Sequence, residues 1–415
     1  MLVEISAAIT FIFLLVVISY YVLLFIPAKK IPFERKIRSI LVVIPARNEA
    51  ARIGNTLEAV IAARFNGRKR ILVIDDGSTD GTSKIVSSKN GVELVRSTHK
   101  GKAAALNNAL AKCKEDAFVV VDADSIINPD SLLHMAEILG RRKVGAVTSV
   151  VKVRNRKTFI GMWLHLEQLY NSLMRYLLVK ANANIVTPGP LGMYRADALK
   201  KINGFSEEGF SEDIDVTVRL VRAGYHVGFS EKSVSETIMP VTAKGFFKQR
   251  SRFARGMLNV FKRHLKPSWN FIDFYTLPLF LFGYIQAVIL GTITVYLIAS
   301  GYFIYFASKG IYFSLSVLIF LLDWLSLVGF TKWFLGIFTG ITPLNFAVAV
   351  GVLSTLLSYP LFLIAILKFD KKIDIWHVIP FIFMFPYWLC IMVVYIWHIP
   401  ELFRKRQRNI WEKVS

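Results

Sequence analysis

The sequence predicts an α/β domain, built on a parallel sheet with helices on both faces, carried between apolar helices that cross a membrane. Three observations point there. Short apolar runs at SILVVIP, RILVIDD and AFVVVDAD alternate with amphipathic stretches as far as about Leu265. A charge-free run of membrane-spanning length opens the chain, and further charge-free runs follow Asp273. With 54% hydrophobic residues and a mean hydropathy of +0.47, the 415-residue composition argues against a purely cytosolic protein and against disorder.

Residues 1–38 read as a transmembrane helix and a basic linker. No Asp, Glu, Lys or Arg occurs from Ile5 to Ala28, and a span needs about 20 apolar residues. Glu4 before the run and Lys29, Lys30, Arg35, Lys36 and Arg38 after it do not match a cleaved signal peptide. They place the linker in the cytoplasm and the N-terminus outside. Residues 39–245 then form one cytosolic nucleotide-binding α/β domain with no internal repeat.

Residues 246–270 mix Phe, Met and Trp with Lys and Arg at near-helical spacing, which suits an amphipathic helix at the membrane surface. The alternative is an ordinary helix on the domain surface. Residues 271–415 hold about four spans, near 275–300, 311–331, 344–367 and 377–399. The tail with Arg404, Lys405, Arg406, Arg408 and Lys413 then falls inside, as the positive-inside rule asks, while Lys368, Lys371 and Lys372 fall outside. Asp323 lies within a span, where it either faces a polar path or pairs with Lys332 at an interface.

The 51 Lys and Arg against 29 Asp and Glu give a net charge of +22, much of it beside the membrane. Lipid headgroups and a nucleoside diphosphate suit that placement better than nucleic acid, for which no motif is present. Cys113 and Cys390 make neither a disulfide framework nor a metal cluster and read as structural thiols.

Four acidic positions stand at strand ends or in loops. PARNE places Pro45, Ala46 and Glu49 after the first strand, and DDGS places Asp76 after the second, at the carboxyl edge where open α/β sheets bind ligands. Asp76 has an acceptor for a base N–H, and Glu49 one for a base or ribose. VVVDADS supplies Asp122 and Asp124, hard oxygen ligands for Mg2+ or Mn2+, with Asp124 just past the strand as the metal ligand and Asp122 supporting the sugar or metal. Lys100 and Lys102 precede a helix and suit a diphosphate. The fourth is Ser211-Glu212-Asp213, opening an amphipathic helix whose Val216, Leu220 and Val221 face the core. A helix N-terminus holds a carboxylate ionised and ready to act as a base, unless burial opposes it. Capping explains one acid there but not three, Asp215 being the third.

In this order the motifs resemble the membrane-integrated inverting family 2 glycosyltransferases, the group with hyaluronan, cellulose, chitin and poly-N-acetylglucosamine synthases. The resemblance runs from Ser39 to Trp269 and rests on PARNE, DDGS, DAD, the Ser-Glu-Asp at 211–213 and QRSRF at 249–253. It implies a GT-A fold in which Asp76 binds uracil, Asp124 the metal ion, and Asp213, with Glu212 beside it, acts as general base. Gln249, Arg252 and Phe253 would cap nucleotide and acceptor, and Gly189, Pro190 and Gly192 would form an acceptor-side loop. Where the family has Gln-x-x-Arg-Trp, this chain has Phe253, keeping the aromatic face and losing the indole donor.

The function implied is inverting transfer from a nucleotide sugar, in the UDP series, at the cytoplasmic face of the cell membrane by a multi-pass protein. The product is a polysaccharide, extended processively and exported through the chain's own helices, with a homo-oligomer or export partner where five helices are too few. The alternative product is a single sugar on a lipid or polyprenyl phosphate. A non-catalytic transporter or scaffold would have lost one of Asp76, Asp124 and Asp213, and all three are present.

Overall fold

The computed structural model of the chain describes residues 2–209, 211–266 and 270–400; Trp269 and the basic tail beyond Pro400 lie outside the described residues. The chain divides into two units, Ile26–Pro278 and the N-terminal helix α1 (Leu2–Phe25) with Leu279–Ile399.

The unit Ile26–Pro278 runs β1 (Ser39–Ala46), α2 (Ile53–Ala62), β2 (Arg68–Asp75), α3 (Thr82–Ser87), β3 (Val92–Arg96), α4 (Lys102–Ala111), β4 (Ala117–Val120), β5 (Ile126–Ile127), α5 (Ser131–Leu139) and β6 (Val144–Val153). It continues with α6 (Phe159–Lys180), β7 (Gly192–Arg195), α7 (Ala196–Lys201), α8 (Glu212–Arg222), β8 (His226–Thr237) and α9 (Ala243–His264). These strands form one sheet in the order β3-β2-β1-β4-β7-β6-β8-β5.

The expected all-parallel sheet is a mixed one. β3, β2, β1 and β4 are parallel, β7 lies antiparallel between β4 and β6, β8 is parallel to β6, and β5 is antiparallel to β8. The apolar runs report β1, β2 and β4, which are buried on both faces; the short β7 grows out of a Gly/Pro loop and carries no such run. Successive residues of β1 feed opposite faces of the sheet. Ile40, Val42 and Ile44 pack with Leu57 and Val60 on one side, and Leu41 and Val43 with Leu106 and Phe118 on the other. Register aligns Ala46 with Asp75 and Val43 with Val120, so the carboxyl ends of these strands share a rim.

Helix α9 begins where the Thr242 side chain accepts from Gly245 N–H and ends at His264, short of the expected 246–270. Its apolar residues Phe246, Ala254, Leu258 and Phe261 are buried, and only Phe247 and Phe253 among its large apolar side chains stay exposed. Most of the face expected in the membrane therefore packs as a domain helix does. Arg250 holds α9 to α6 through a buried, two-pronged pair with Glu167, at 2.8 and 2.6 Å.

In the other unit, α1 lies along α13 (Phe346–Phe369), with the Phe11 and Phe346 rings 5.8 Å apart and Tyr21 Oη donating to Leu357 O at 2.8 Å. The helix α10 (Leu277–Tyr305) belongs to an apolar stretch, Ile272–Lys309. Two of the expected spans are broken: α11 (Leu315–Leu325) meets α12 (Leu327–Phe338) at 82°, and α14 (Ile375–Ile382) meets α15 (Met384–His398) at 61°. The first break is at Ser326, whose hydroxyl donates to Leu322 O and accepts from Val328 N–H; a Cβ on Gly329 would overlap the Asp323 carbonyl. Asp323 pairs with Lys332 at 2.6 Å, the second of its two expected states. Among the described residues three helices are long and apolar enough to cross a membrane, or up to five if each bent pair counts as one span.

The Arg250–Glu167 pair gives the fold its clearest test. Glu167→Gln leaves a buried guanidinium without its counter-charge, which costs about 3–5 kcal/mol. The expected outcome is a lower thermal midpoint for the detergent-purified chain; an unchanged midpoint would remove the pair from the forces holding α9 to α6.

Candidate active site

The rim begins with two interlocked loops. Asp75 accepts from Ser78 N–H at 2.8 Å and from the Ser83 hydroxyl, closing a turn in which Gly77 has φ of 77°. The loop after β1 is tied to it: Asn48 N–H donates to Ser78 Oγ at 2.9 Å, Asn48 Oδ1 accepts from Thr79 N–H at 2.8 Å, and Glu49 N–H donates to Thr82 Oγ1 at 2.8 Å. Pro45 and Ala46 are buried at the strand end, and the Glu49 carboxylate lies 3.7 Å from Arg52. A cleft lined by Asp75, Gly77, Ser78, Ser83, Arg96 and Ser97 opens beside them.

Asp76 is tied into the domain itself. Its side chain is fully buried, and its oxygens accept from the backbone N–H of Lys100 at 2.9 Å and Gly101 at 2.8 Å. It fixes the 97–101 loop and the start of α4 through two of the bonds its carboxylate can accept. Gly101 is the N-cap, with φ of 94°, a conformation a side chain would strain.

Lys102, the first residue of α4, is tied in as well. Its ammonium lies 2.7 Å from Asp122 Oδ1 and 3.2 Å from Glu212 Oε1, joining the end of β4 to the start of α8 instead of standing free for a diphosphate. Burial alone would lower its pKa, but Asp122 and Glu212 outweigh burial and raise it. Gly189 lies against this pair: a Cβ there would be 2.6 Å from Lys102 Nζ and 2.7 Å from Asp122 Oδ2. Gly192 opens β7, where a Cβ would press on Thr187 and Tyr194, and the half-buried Pro190 stands between the two glycines.

Asp124 stands four residues beyond the end of β4, deep in the structure, 3.3 Å from the Ser125 and Thr237 hydroxyls. Burial and then the charge of Asp122 push its pKa up, while Arg52 opposes them. Two neighbouring carboxylates that disfavour each other's charge are a fitting donor set for a hard divalent cation, which would cancel the repulsion.

At the N-terminus of α8, Ser211 makes no side-chain cap and Asp213 Oδ1 accepts from Ile214 N–H at 2.9 Å. Here burial does oppose the helix N-terminus. Burial, then Glu212, push Asp213 up to about 6 against Lys102 and that N–H. Two groups absent from the sequence reading lie in its field. Tyr194, fully buried with its hydroxyl on Thr187 O at 3.3 Å, is pushed up by burial, Asp213 and Glu212. Arg175, on α6, is lowered to about 10 by burial, with Asp213 opposing, and donates to Ser172 Oγ at 2.8 Å. Tyr194 follows the glycine loop closely enough to have been suspected, whereas Arg175 sits in a helix with no local signal.

On α9, Gln249 is buried with Nε2 donating to Met239 Sδ at 3.2 Å; its Oε1 meets no hydrogen-bond partner among the described residues. Met239 follows Thr237, so Gln249 stands against the same strand end that contacts Asp124. Arg252 and Arg250 lie 5.6 and 5.5 Å from the centre of the half-exposed Phe253 ring.

A family model described as glycosyltransferase-like family 2 matches residues 38–256, over half of the chain. The chain belongs to glycosyltransferase-like family 2. Among curated family 2 relatives, a probable glycosyltransferase of Bacillus subtilis is 28% identical over 61% of this chain and 66% of its own length. A poly-β-1,6-N-acetyl-D-glucosamine synthase of Staphylococcus epidermidis is 27% identical over 57% of this chain and 58% of its own. The chain thus matches about three fifths to two thirds of the length of these relatives. Among solved structures, a mannosyltransferase from Pyrobaculum calidifontis, in complex with GDP-mannose and Mn2+, superposes with a TM-score of 0.61 at 21% identity, covering 90% of this chain and all of the other. The mixed sheet and its helices are a GT-A-like fold, and the family 2 match ends within α9, just past Phe253.

Within this family 2 domain, Gly189→Ala must move the Lys102–Asp122 pair. The expected result is a loss of about 10²-fold in sugar transfer, the scale of a 1 Å misplacement, with little change in thermal midpoint. Wild-type transfer by the alanine variant would show that the close approach is not needed.

Proposed function

We propose that the protein is a membrane-embedded, inverting glycosyltransferase that takes a sugar from a nucleoside diphosphate donor, in the UDP series, and adds it to a growing β-linked polysaccharide at the cytoplasmic face. The carrying observation is the cluster at the start of α8, where Asp213, its carboxyl raised to about 6, stands beside an Asp122–Lys102–Glu212 bridge. The polymer reading draws on the poly-β-1,6-N-acetyl-D-glucosamine synthase relatives. The apolar helices and the basic linker after α1 support a multi-pass protein of the cell membrane with this domain inside.

In the proposed reaction the acceptor hydroxyl gives its proton to Asp213 as its oxygen bonds to the anomeric carbon. The bond from that carbon to phosphate breaks, and its electron pair leaves with the nucleoside diphosphate. One base without a carboxylate nucleophile means a single displacement, hence inversion. Lys102 holds Glu212 and Asp122 so that the acids around Asp213 do not repel one another apart. Arg252, with Gln249 and Phe253 beside it, offers positive charge to the leaving diphosphate. Asp124 and Asp122 would hold Mg2+ or Mn2+, which when bound neutralises charge on the diphosphate.

Two outcomes are expected of the purified full-length chain, supplied with Mn2+ or Mg2+ and a panel of labelled UDP- and GDP-sugars. One donor yields a β-linked product of high molecular mass, and Asp213→Asn lowers transfer by about 10²–10⁴-fold while nucleotide binding persists. An α-linkage by NMR would remove Asp213 from this role; a lipid-extractable product with one sugar would replace the polymer reading.

The pH dependence follows from Asp213. Below about 6 the carboxyl is protonated and takes no proton, so kcat rises through that pH to a plateau above it. An unperturbed aspartate would place the rise near 4. A pH–rate profile distinguishes the two.

A further inference from the structure

Three acids open α8, and the proposed reaction leaves the third without a role. Asp213 and Asp215 are two residues apart, about 200° around the helix, so they point from opposite sides of its first turn. Asp215 is buried, and Arg219, Arg263 and His264 all reach its carboxylate. Arg219 Nε donates at 2.7 Å, Arg263 Nη1 at 3.1 Å, and His264 Nε2 lies at 2.8 Å. Arg263 and His264 are the last two residues of α9.

Helix α8 meets α9 again two turns later. Arg222 donates to His264 O at 2.7 Å, approaches His264 Nδ1 at 3.0 Å, and pairs with Asp273 at 2.5 Å. Both ring nitrogens of His264 are therefore engaged by α8, as a neutral ring donating from Nε2 to Asp215 and accepting at Nδ1 from Arg222 allows. Arg219, between these points, donates to the Ile202 and Gly204 carbonyls at 2.6 and 2.7 Å. The spacing 215, 219, 222 is one face of a helix, so the whole back of α8 is gripped while its apolar face enters the core. The first turn has no side-chain cap at Ser211, so this grip on one side and the Lys102–Glu212 pair on the other hold it.

We propose that Asp215 is a positioning residue. The end of α9, through Arg263 and His264, fixes the rotation of α8 about its axis, and that rotation aims Asp213 at the acceptor hydroxyl. The inference rests on the reading of Asp213 as base. It adds that the helix bearing Gln249, Arg252 and Phe253 also sets the base.

The test compares Asp215→Asn, His264→Leu and His264→Gln with wild type in the full-length protein. Gln keeps a donor for Asp215 where Leu does not. Asp215→Asn and His264→Leu should lose about 10²-fold in kcat with KM for the nucleotide sugar unchanged, and His264→Gln should stay near wild type. In both weak variants, backbone hydrogen exchange should quicken at residues 213–217 while the sheet strands exchange as before. Unchanged kcat in a folded Asp215→Asn overturns the proposal, as does a joint fall of kcat, nucleotide affinity and thermal midpoint in all three variants. If Asp215→Asn does not fold, the His264 pair decides by the same criteria. If wild type transfers no sugar from any donor, the base reading fails, and the exchange of residues 213–217 alone decides whether Asp215 holds the turn.

Discussion

Lys102 lies between carboxylates from two different parts of the sheet's rim, and the proposed site chemistry depends on that cation. Asp122 comes from the end of β4 and Glu212 from the start of α8, elements remote in sequence. Without the ammonium, Asp122, Glu212 and Asp213 would face one another in a medium where like charges repel several-fold more strongly than in water. The position of Lys102 is itself inherited: Asp76 at the end of β2 fixes the amides of residues 100 and 101, and these set where α4 begins. A parallel strand pair, a buried aspartate, a helix start and a lysine thus form one mechanical line ending at Asp213. Gly189 closes that line from the other side, because a side chain there would displace the ion pair.

Asp213 shows how two local effects compete. Its helix N-terminus and the Ile214 N–H favour the carboxylate, and Lys102 adds to them. Burial and Glu212 oppose them and win. Asp215, two residues on, is also pushed up by burial and yet ends lowered, because His264, Arg219 and Arg263 surround it. Adjacent acids on one helical turn are driven apart by what lies on either side of the helix.

The sequence made much of the domain legible, because β1, β2 and β4 are apolar runs that end in loops of Pro, Gly and Asp. The α/β class, the GT-A fold and the family were readable from these runs and the motifs after them. Contacts made across the fold were not readable. Asp76 stands in the string DDGS with no partner in view, and only the return of the 97–101 loop shows the two backbone amides it fixes. Lys102 looks like a phosphate ligand until Asp122 and Glu212 arrive from 20 and 110 residues away. Arg175 lies mid-helix with nothing nearby to flag it. The bends at Ser326 and between α14 and α15 lie in uniformly apolar text, where hydropathy gives length and not direction.

The raised carboxyl of Asp213 also bears on what happens between successive additions. In the proposed reaction each transfer leaves one proton on Asp213, and a further acceptor is not activated until that proton has gone. An acid near 6 gives its proton up readily to neutral surroundings, whereas one held near 9 would stay loaded. The burial that raises Asp213 above an exposed aspartate thus stops short of making it retain the proton, so in the proposed reaction the carboxyl sheds it between one transfer and the next.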